Sequence, residues 1–158
     1  MTNRYHRVVE RIERMIADDI DPIGAMATAA AVLGQEFPAF TWIGFYRVVK
    51  PGLLQVGPYQ GSPGCLTIEF GRGVVGTCAV ERKSRLVEDV RRLDNHIACD
   101  PAARCEAVVP VMSGDGALVA VLDADVDVVG GLTADDVSGL EAVAGIVGRA
   151  WGDISRSS

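Results

Sequence analysis

Apolar residues recur along the start of the chain at helical spacing. Val8, Val9, Ile12, Met15 and Ile16 form one stripe with Arg and Glu between them, the pattern of a helix burying a single face. Asp21-Pro22 reads as an N-cap and first helical residue. Ile23, Met26, Ala27, Ala30 and Leu33 carry the period on until Gly34 and Pro38 close it. The pattern then changes. Phe40 to Val49 is rich in aromatic and β-branched residues, Pro51-Gly52 signals a turn, and Leu53 to Val56 predicts a short returning strand. Leu66 to Phe70 predicts a further strand, Gly71-Arg72-Gly73 a break, Val74 to Glu81 a short helix and Leu86-Val87 a brief strand. Ala107 to Met112 and Ala117 to Val126 predict a hairpin around Ser113-Gly114-Asp115-Gly116. Thr133 and Asp136 stand at capping-box spacing. Leu140, Val143, Ala144, Val147 and Trp151 follow at helical period, and the end at 155–158 is expected to fray.

Helices at both ends with consecutive hairpins between them predict an α+β fold, residues 1–158 forming a single domain. Its central antiparallel sheet should carry the N- and C-terminal helices on one face. The apolar stripes of those helices suit a homodimer and a monomer core equally well.

Composition narrows the classes of partner. The chain has 158 residues and a formal net charge of −6, enough length for one core. Its dense basic stretches, Arg82-Lys83-Ser84-Arg85 and Arg91-Arg92, are flanked by acids. Nucleic acid, which is held by displacing counterions with Lys and Arg, is therefore not an expected partner. No apolar run reaches the ~18 residues of a membrane span. Met1-Thr2-Asn3-Arg4 leads into an amphipathic pattern and not into the apolar core of a signal peptide. A cytoplasmic location is expected, and there four Cys are core fillers, ligands or redox groups and not a structural disulfide framework.

The least periodic stretch, 90–105, has the character of a functional loop. Cys99 lies in it, with His96 three positions before and Asp100 directly after. A nearby imidazolium favours the nucleophilic thiolate; the alternative is a Cys packed under the loop. Cys65 follows the flexible Gly61-Ser62-Pro63-Gly64. Two loop thiols form a reversible disulfide if the fold brings them close, and stay independent if it does not. Cys78 lies in an apolar helix and reads as core. Cys105 is either a bystander or a second resolving thiol. His96, Cys99 and Cys105 lack the paired spacing of structural zinc, so no metal is expected. Glu106, Asp123 and Asp125 are the carboxylates that stand out. Strand alternation puts Asp123 and Asp125 on one face of an otherwise apolar strand. Crowded there, they raise one another's pKa, and a protonated carboxyl is a general acid; the alternative is an exposed strand end. Trp42 and Tyr46 share a face opposite Ile43 and Phe45, either in the core or along a pocket.

Several segments together carry a family resemblance. They are Trp42-Ile43-Gly44-Phe45-Tyr46, Gly57-Pro58-Tyr59-Gln60-Gly61 leading to Cys65, Phe70-Gly71-Arg72-Gly73-Val74 and Asp89-Val90. His96-Ile97-Ala98-Cys99-Asp100, Glu106 with Val108-Val109-Pro110, and Leu122-Asp123-Ala124-Asp125 complete the set. With them the chain resembles the free methionine-(R)-sulfoxide reductase family. The resemblance implies a GAF fold and reduction of free L-methionine (R)-S-oxide, with thioredoxin as reductant and no cofactor. It matches Cys99 to the catalytic cysteine and Cys65 to the recycling one. It matches Glu106, Asp123 and Asp125 to polar residues around the substrate, Glu106 and Asp125 counting as catalytic, and Trp42 and Tyr46 to the aromatic side of the pocket. Two departures stand out. Val75 occupies a position where many members carry a third cysteine, so the cycle should run on two. Cys105 replaces a usual Ser before Glu106 and is a thiol that could trap Cys99. The alternative function is a GAF module that senses a small ligand or redox state without turnover.

Overall fold

Short polar side chains start the first two helices. In the computed structural model, residues 1–152 are described, and the fraying expected at 155–158 lies outside them. Helix α1, Asn3–Met15, begins where the Thr2 hydroxyl accepts the Tyr5 N–H. Helix α2, Pro22–Glu36, begins where the Asp21 carboxylate accepts the Gly24 N–H at 2.8 Å. Each bond satisfies an N–H that the helix itself leaves free. The α1 stripe buries Tyr5, Val8 and Ile12, but Met15 in the last turn is 53% exposed. In α2 the buried face is Ala25, Met26, Ala29, Ala30, Val32 and Leu33, whereas Ile23 is 65% exposed and Ala27 also faces outward. That helix is apolar nearly all round, so period alone does not select its inner face; packing against α1 and the sheet does.

Six strands follow: β1 Trp42–Lys50, β2 Leu53–Gly61, β3 Thr67–Glu69, β4 Arg85–Val87, β5 Cys105–Met112 and β6 Leu118–Val126. They form one antiparallel sheet in the order β3-β2-β1-β6-β5-β4. Strand β2 runs beyond its expected end at Val56. Gly44 pairs with Tyr59 but Tyr46 with Val56, so β2 carries an extra residue around Gly57-Pro58. A bulge accommodates proline, which has no N–H to give to a ladder. Helix α3, Gly73–Glu81, lies between β3 and β4, and helix α4, Ala134–Gly148, follows β6. The capping box of α4 is present, with the Thr133 N–H donating to Asp136 at 2.7 Å. Trp151 falls in a separate 3-10 turn, Arg149–Trp151.

The sheet separates two cores. On one side Ile43, Phe45, Cys105, Ala107, Leu122 and Ala124 pack with Tyr5 and Ile12 of α1, Met26 and Leu33 of α2, and Leu140 and Val143 of α4. On the other, Trp42, Tyr46, Val108 and Val121 pack with Val74, Val75, Cys78 and Ala79 of α3. The terminal helices therefore share one face, as their patterning predicts. Among the described residues, no helix is long and apolar enough to cross a membrane.

Candidate active site

Two loops meet over the α3 side of the sheet. Cys65, beyond the end of β2, and Cys99, in the loop before β5, are joined in a disulfide with their Cα atoms 5.0 Å apart. The Cys99 loop is held at its base by backbone bonds from Val90 to Arg104 and from Arg104 to Val126, both 2.8 Å. Asp89 reinforces the base, its carboxylate lying 3.6 Å from Arg92 and 3.8 Å from Arg104. Nearer the tip, the Asn95 amide donates to the Gly71 carbonyl at 2.9 Å, and the Thr41 hydroxyl donates to Asp100 at 3.0 Å. Gly73 opens α3 with φ +63°, and a Cβ there would stand 3.1 Å from Ile97. Glycine takes that backbone without strain and lets the loop descend onto the helix.

Beneath the disulfide lie the three acids. Glu106 and Asp125 are direct partners across β5 and β6, and Asp123 is two positions along on the same face. They are 7%, 6% and 4% exposed. One oxygen from each lies within 4.8 Å of the others, so the strand end is enclosed. Burial is the first cause that raises all three pKa values above the usual carboxylate range. Asp125 and Glu106 push Asp123 further up, and Glu106 and Asp100 do the same to Asp125. A hydrogen bond between Asp123 and Glu106 lowers Glu106 and raises Asp123. A hydrogen bond between two carboxyl groups needs one proton, which the pair shares. Without that proton, the buried Oδ1 of Asp123 faces no donor. The cluster thus holds both a proton and negative charge, which suits an acid catalyst and an ammonium or hard-cation site.

Acids and disulfide open on one cavity of about 360 Å³, solvent at its mouth included. Tyr46, Arg72, Val75, His96 and Cys99 line it with the acids. Of the two expected aromatics, Tyr46 is in the wall. Trp42 stands behind it, stacked on Tyr46 and on Tyr59 with ring centroids 5.4 and 5.1 Å away. Cys105 points to the opposite side of the sheet, into the α1/α2/α4 core. The sheet separates it from Cys99, which removes its option as a resolving thiol. Cys78 is on the buried face of α3, and burial pushes its thiol up to about 12.

Sequence reasoning missed part of the wall. Arg72, Gly73 and Val74 line the cavity, yet Gly71-Arg72-Gly73 reads locally as punctuation, and the resemblance includes the segment without giving it a role. The close spacing of two glycines before an apolar helix was the available signal. The tie from Thr41 to Asp100 had none, because it joins residues 59 positions apart.

An antiparallel sheet with terminal helices on one face and a pocket on the other is the arrangement of a GAF domain, and the GAF-domain family model matches residues 16–151. The chain is 35% identical over 139 residues to the free methionine-R-sulfoxide reductase of Escherichia coli K12, covering 88% of this chain and 83% of that protein. A solved structure of the free methionine-R-sulfoxide reductase from Neisseria meningitidis, in complex with its substrate, is similar with a TM-score of 0.86 and 36% identity, over 92% of this chain and 87% of that one. GAF domain-containing protein A of Dictyostelium discoideum is 35% identical over 124 residues, 78% of this chain and 77% of that protein. The chain belongs to the free methionine-R-sulfoxide reductase family.

Proposed function

We propose that this protein reduces free L-methionine (R)-S-oxide to methionine, with Cys99 as nucleophile, Cys65 as resolving thiol and thioredoxin as reductant. The observation that carries the reading is the Cys65–Cys99 disulfide over a cavity that holds three buried carboxyls. In the reduced protein the Cys99 thiolate attacks the sulfoxide sulfur. The oxygen takes a proton from the acid cluster as the S–O bond breaks, Glu106 and Asp125 being the groups proposed to act, with Asp123 beside them. The protonated oxygen passes to the Cys99 sulfur as the transient bond between the two sulfurs breaks, so that methionine leaves and Cys99 becomes a sulfenic acid. The Cys65 thiolate then attacks Cys99, water departs, and the disulfide forms. A dithiol reductant restores both thiols by exchange.

The same cavity supports recognition of a free amino acid. An α-ammonium pairs with the ionised members of the acid cluster through charge-assisted bonds. An α-carboxylate fits the other wall, where Arg72 and the first turn of α3 lie and the positive end of the helix favours an anion. Tyr46 offers a ring face to the S-methyl group. Val75 in that wall leaves the cycle to two cysteines. A disulfide opened by thioredoxin is in keeping with a cytoplasmic location.

The test is NADPH oxidation coupled through thioredoxin reductase and thioredoxin, with free methionine (R)-sulfoxide as substrate. Turnover that depends on all components is expected. Fully reduced protein that forms no methionine would refute the enzyme reading and leave the same disulfide as a redox sensor.

A further inference from the structure

The Trp42 ring is 2% exposed and clamped between Tyr46 and Tyr59, so it is a rigid group. Its backbone pairs on one side with Asp125 and on the other with Gly61, the last residue of β2. The chain leaving Gly61 toward Cys65 runs along the indole edge. At Gly61 φ is +130°, and a Cβ would stand 2.7 Å from the Thr41 carbonyl and 3.0 Å from Trp42 Cδ1. At Gly64 a Cβ would stand 3.2 Å from the Tyr46 hydroxyl and 3.4 Å from Trp42 Nε1. Between these two glycines the indole N–H donates to the Ser62 carbonyl at 3.1 Å. Cys65 packs against the α3-side core and the Leu66 carbonyl beyond it accepts the Val56 N–H at 2.9 Å, but within the segment 62–65 the indole bond and the disulfide are the specific ties among the described residues. Once the disulfide is reduced, the indole bond is the one hydrogen bond that holds the middle of the segment in place.

We propose that Trp42 is a positioning residue for Cys65, its indole N–H holding the Gly61–Cys65 segment where the Cys65 thiolate reaches oxidised Cys99. This deepens the proposed function and rests on its reading of Cys65 as the resolving thiol. Trp42 then acts through Cys65, in the second half of the cycle. A thiol on a free loop must find its target by diffusion of the loop, whereas a tethered one begins near attack geometry. Removing one hydrogen bond of ordinary net strength corresponds to about a 3- to 10-fold change in that step.

The test needs no sulfoxide. Hydrogen peroxide added to the reduced protein oxidises the Cys99 thiolate to a sulfenic acid and is itself reduced to hydroxide. The Cys65 thiolate then displaces hydroxide to close the disulfide. Dimedone present from the start competes for the sulfenic acid, and mass spectrometry gives the ratio of dimedone adduct to disulfide. This branching ratio does not depend on how fast Cys99 is oxidised. Trp42→Phe keeps a ring but has no N–H, and should raise the ratio about 3- to 10-fold. Tyr59→Leu weakens the stack but keeps the N–H, and should leave the ratio near wild type. Gly64→Ala crowds the indole edge from a half-buried loop position and should also raise the ratio, so the test survives if Trp42→Phe does not fold. An unchanged ratio in folded Trp42→Phe, or an equal rise in Tyr59→Leu, would overturn the proposal. Failure to reduce methionine sulfoxide would leave this measurement intact, so the two ideas fail separately. A wild type that forms no disulfide with peroxide sinks both.

Discussion

Strand β5 runs Cys105-Glu106-Ala107-Val108, and its alternate residues go to opposite sides of the sheet. Cys105 and Ala107 enter the core beneath the terminal helices, where the buried residues are apolar throughout. Glu106 enters the α3 side, beside Asp125 and Asp123 and below a disulfide. All three acids are nearly as buried as the apolar residues across the sheet, but the energetics are opposite. Burial on the helix side is favourable, at roughly 25 cal/mol per Å² of apolar surface. Burial on the α3 side opposes ionisation of three carboxyls and is unfavourable while they carry charge. One face supplies stability that offsets the cost of crowding three carboxyls on the other. The cysteines divide by burial: Cys105 on the helix side and Cys78 on the α3 side are buried free thiols, while Cys65 and Cys99 sit in loops and are joined to each other.

The most severe test of that division removes a loop thiol. Cys99→Ser should abolish methionine formation even in a single turnover with pre-reduced protein, measured by chromatography of the free amino acid. Cys65→Ser should give one equivalent of methionine per protein and then stop. Steady-state rates at wild-type level in that variant would refute the resolving role.

On the helix side the large effect should be on stability instead. Leu140 is fully buried under the sheet. Leu140→Ala should lower the unfolding free energy by about 2–5 kcal/mol in urea titrations, with turnover per folded molecule retained. A comparable loss of specific activity would mean that the two faces are coupled more closely than the intervening sheet implies.

The division was partly visible in the chain itself. Alternation of Ile43 and Phe45 with Trp42 and Tyr46, and of Asp123 and Asp125 with Ala124, gave both faces correctly because a strand offers only two directions. The caps at Asp21 and Thr133 were legible because they depend on residues within one turn of the helix start. What stayed hidden was set by distant partners. The inner face of α2 depends on α1 and the sheet, so Ile23 and Ala27 looked like core but face outward. The length of β2 depends on a bulge that makes room for Gly57-Pro58, residues that locally read as a break. For the site, the acids and loop thiols stood out as chemistry in unusual surroundings. The α3 wall and the indole tether did not, since a backbone carbonyl such as that of Ser62 has no signature in sequence.

The acid cluster gives the α3 face its own pH signature. Asp123 is raised above its usual range, so between the ordinary carboxylate pKa near ~4 and its raised value the native state binds more protons than the unfolded chain. Where the native state binds more protons, unfolding free energy falls as pH rises, by up to about 1.4 kcal/mol per pH unit for one group. Asn at this position has no proton to lose. Asp123→Asn should therefore gain on wild type as pH increases, with the difference in melting temperature small at pH 4 and clearly in its favour at pH 8. Parallel pH curves for the two proteins would show that the cluster carries no such penalty.

The smallest effect is expected at Cys105, although it adjoins Glu106 in sequence. Its thiol is raised by burial, and the backbone N–H groups of Leu132, Gly130 and Gly131 around it offset only part of that rise. It is therefore a neutral thiol at ordinary pH, and a poor nucleophile. The sheet also stands between it and the sulfenic acid it would have to trap. Cys105→Ala should leave steady-state turnover within about twofold and lower stability by about 1 kcal/mol, in keeping with a small core truncation. A thiol-reactive dye supplies the direct check. Reduced native protein should release colour for Cys65 and Cys99, and Cys78 and Cys105 should respond only after denaturation. Rapid labelling of Cys105 in the native state would place it on the wrong side of the comparison, and faster turnover in Cys105→Ala would show that it does divert oxidised Cys99.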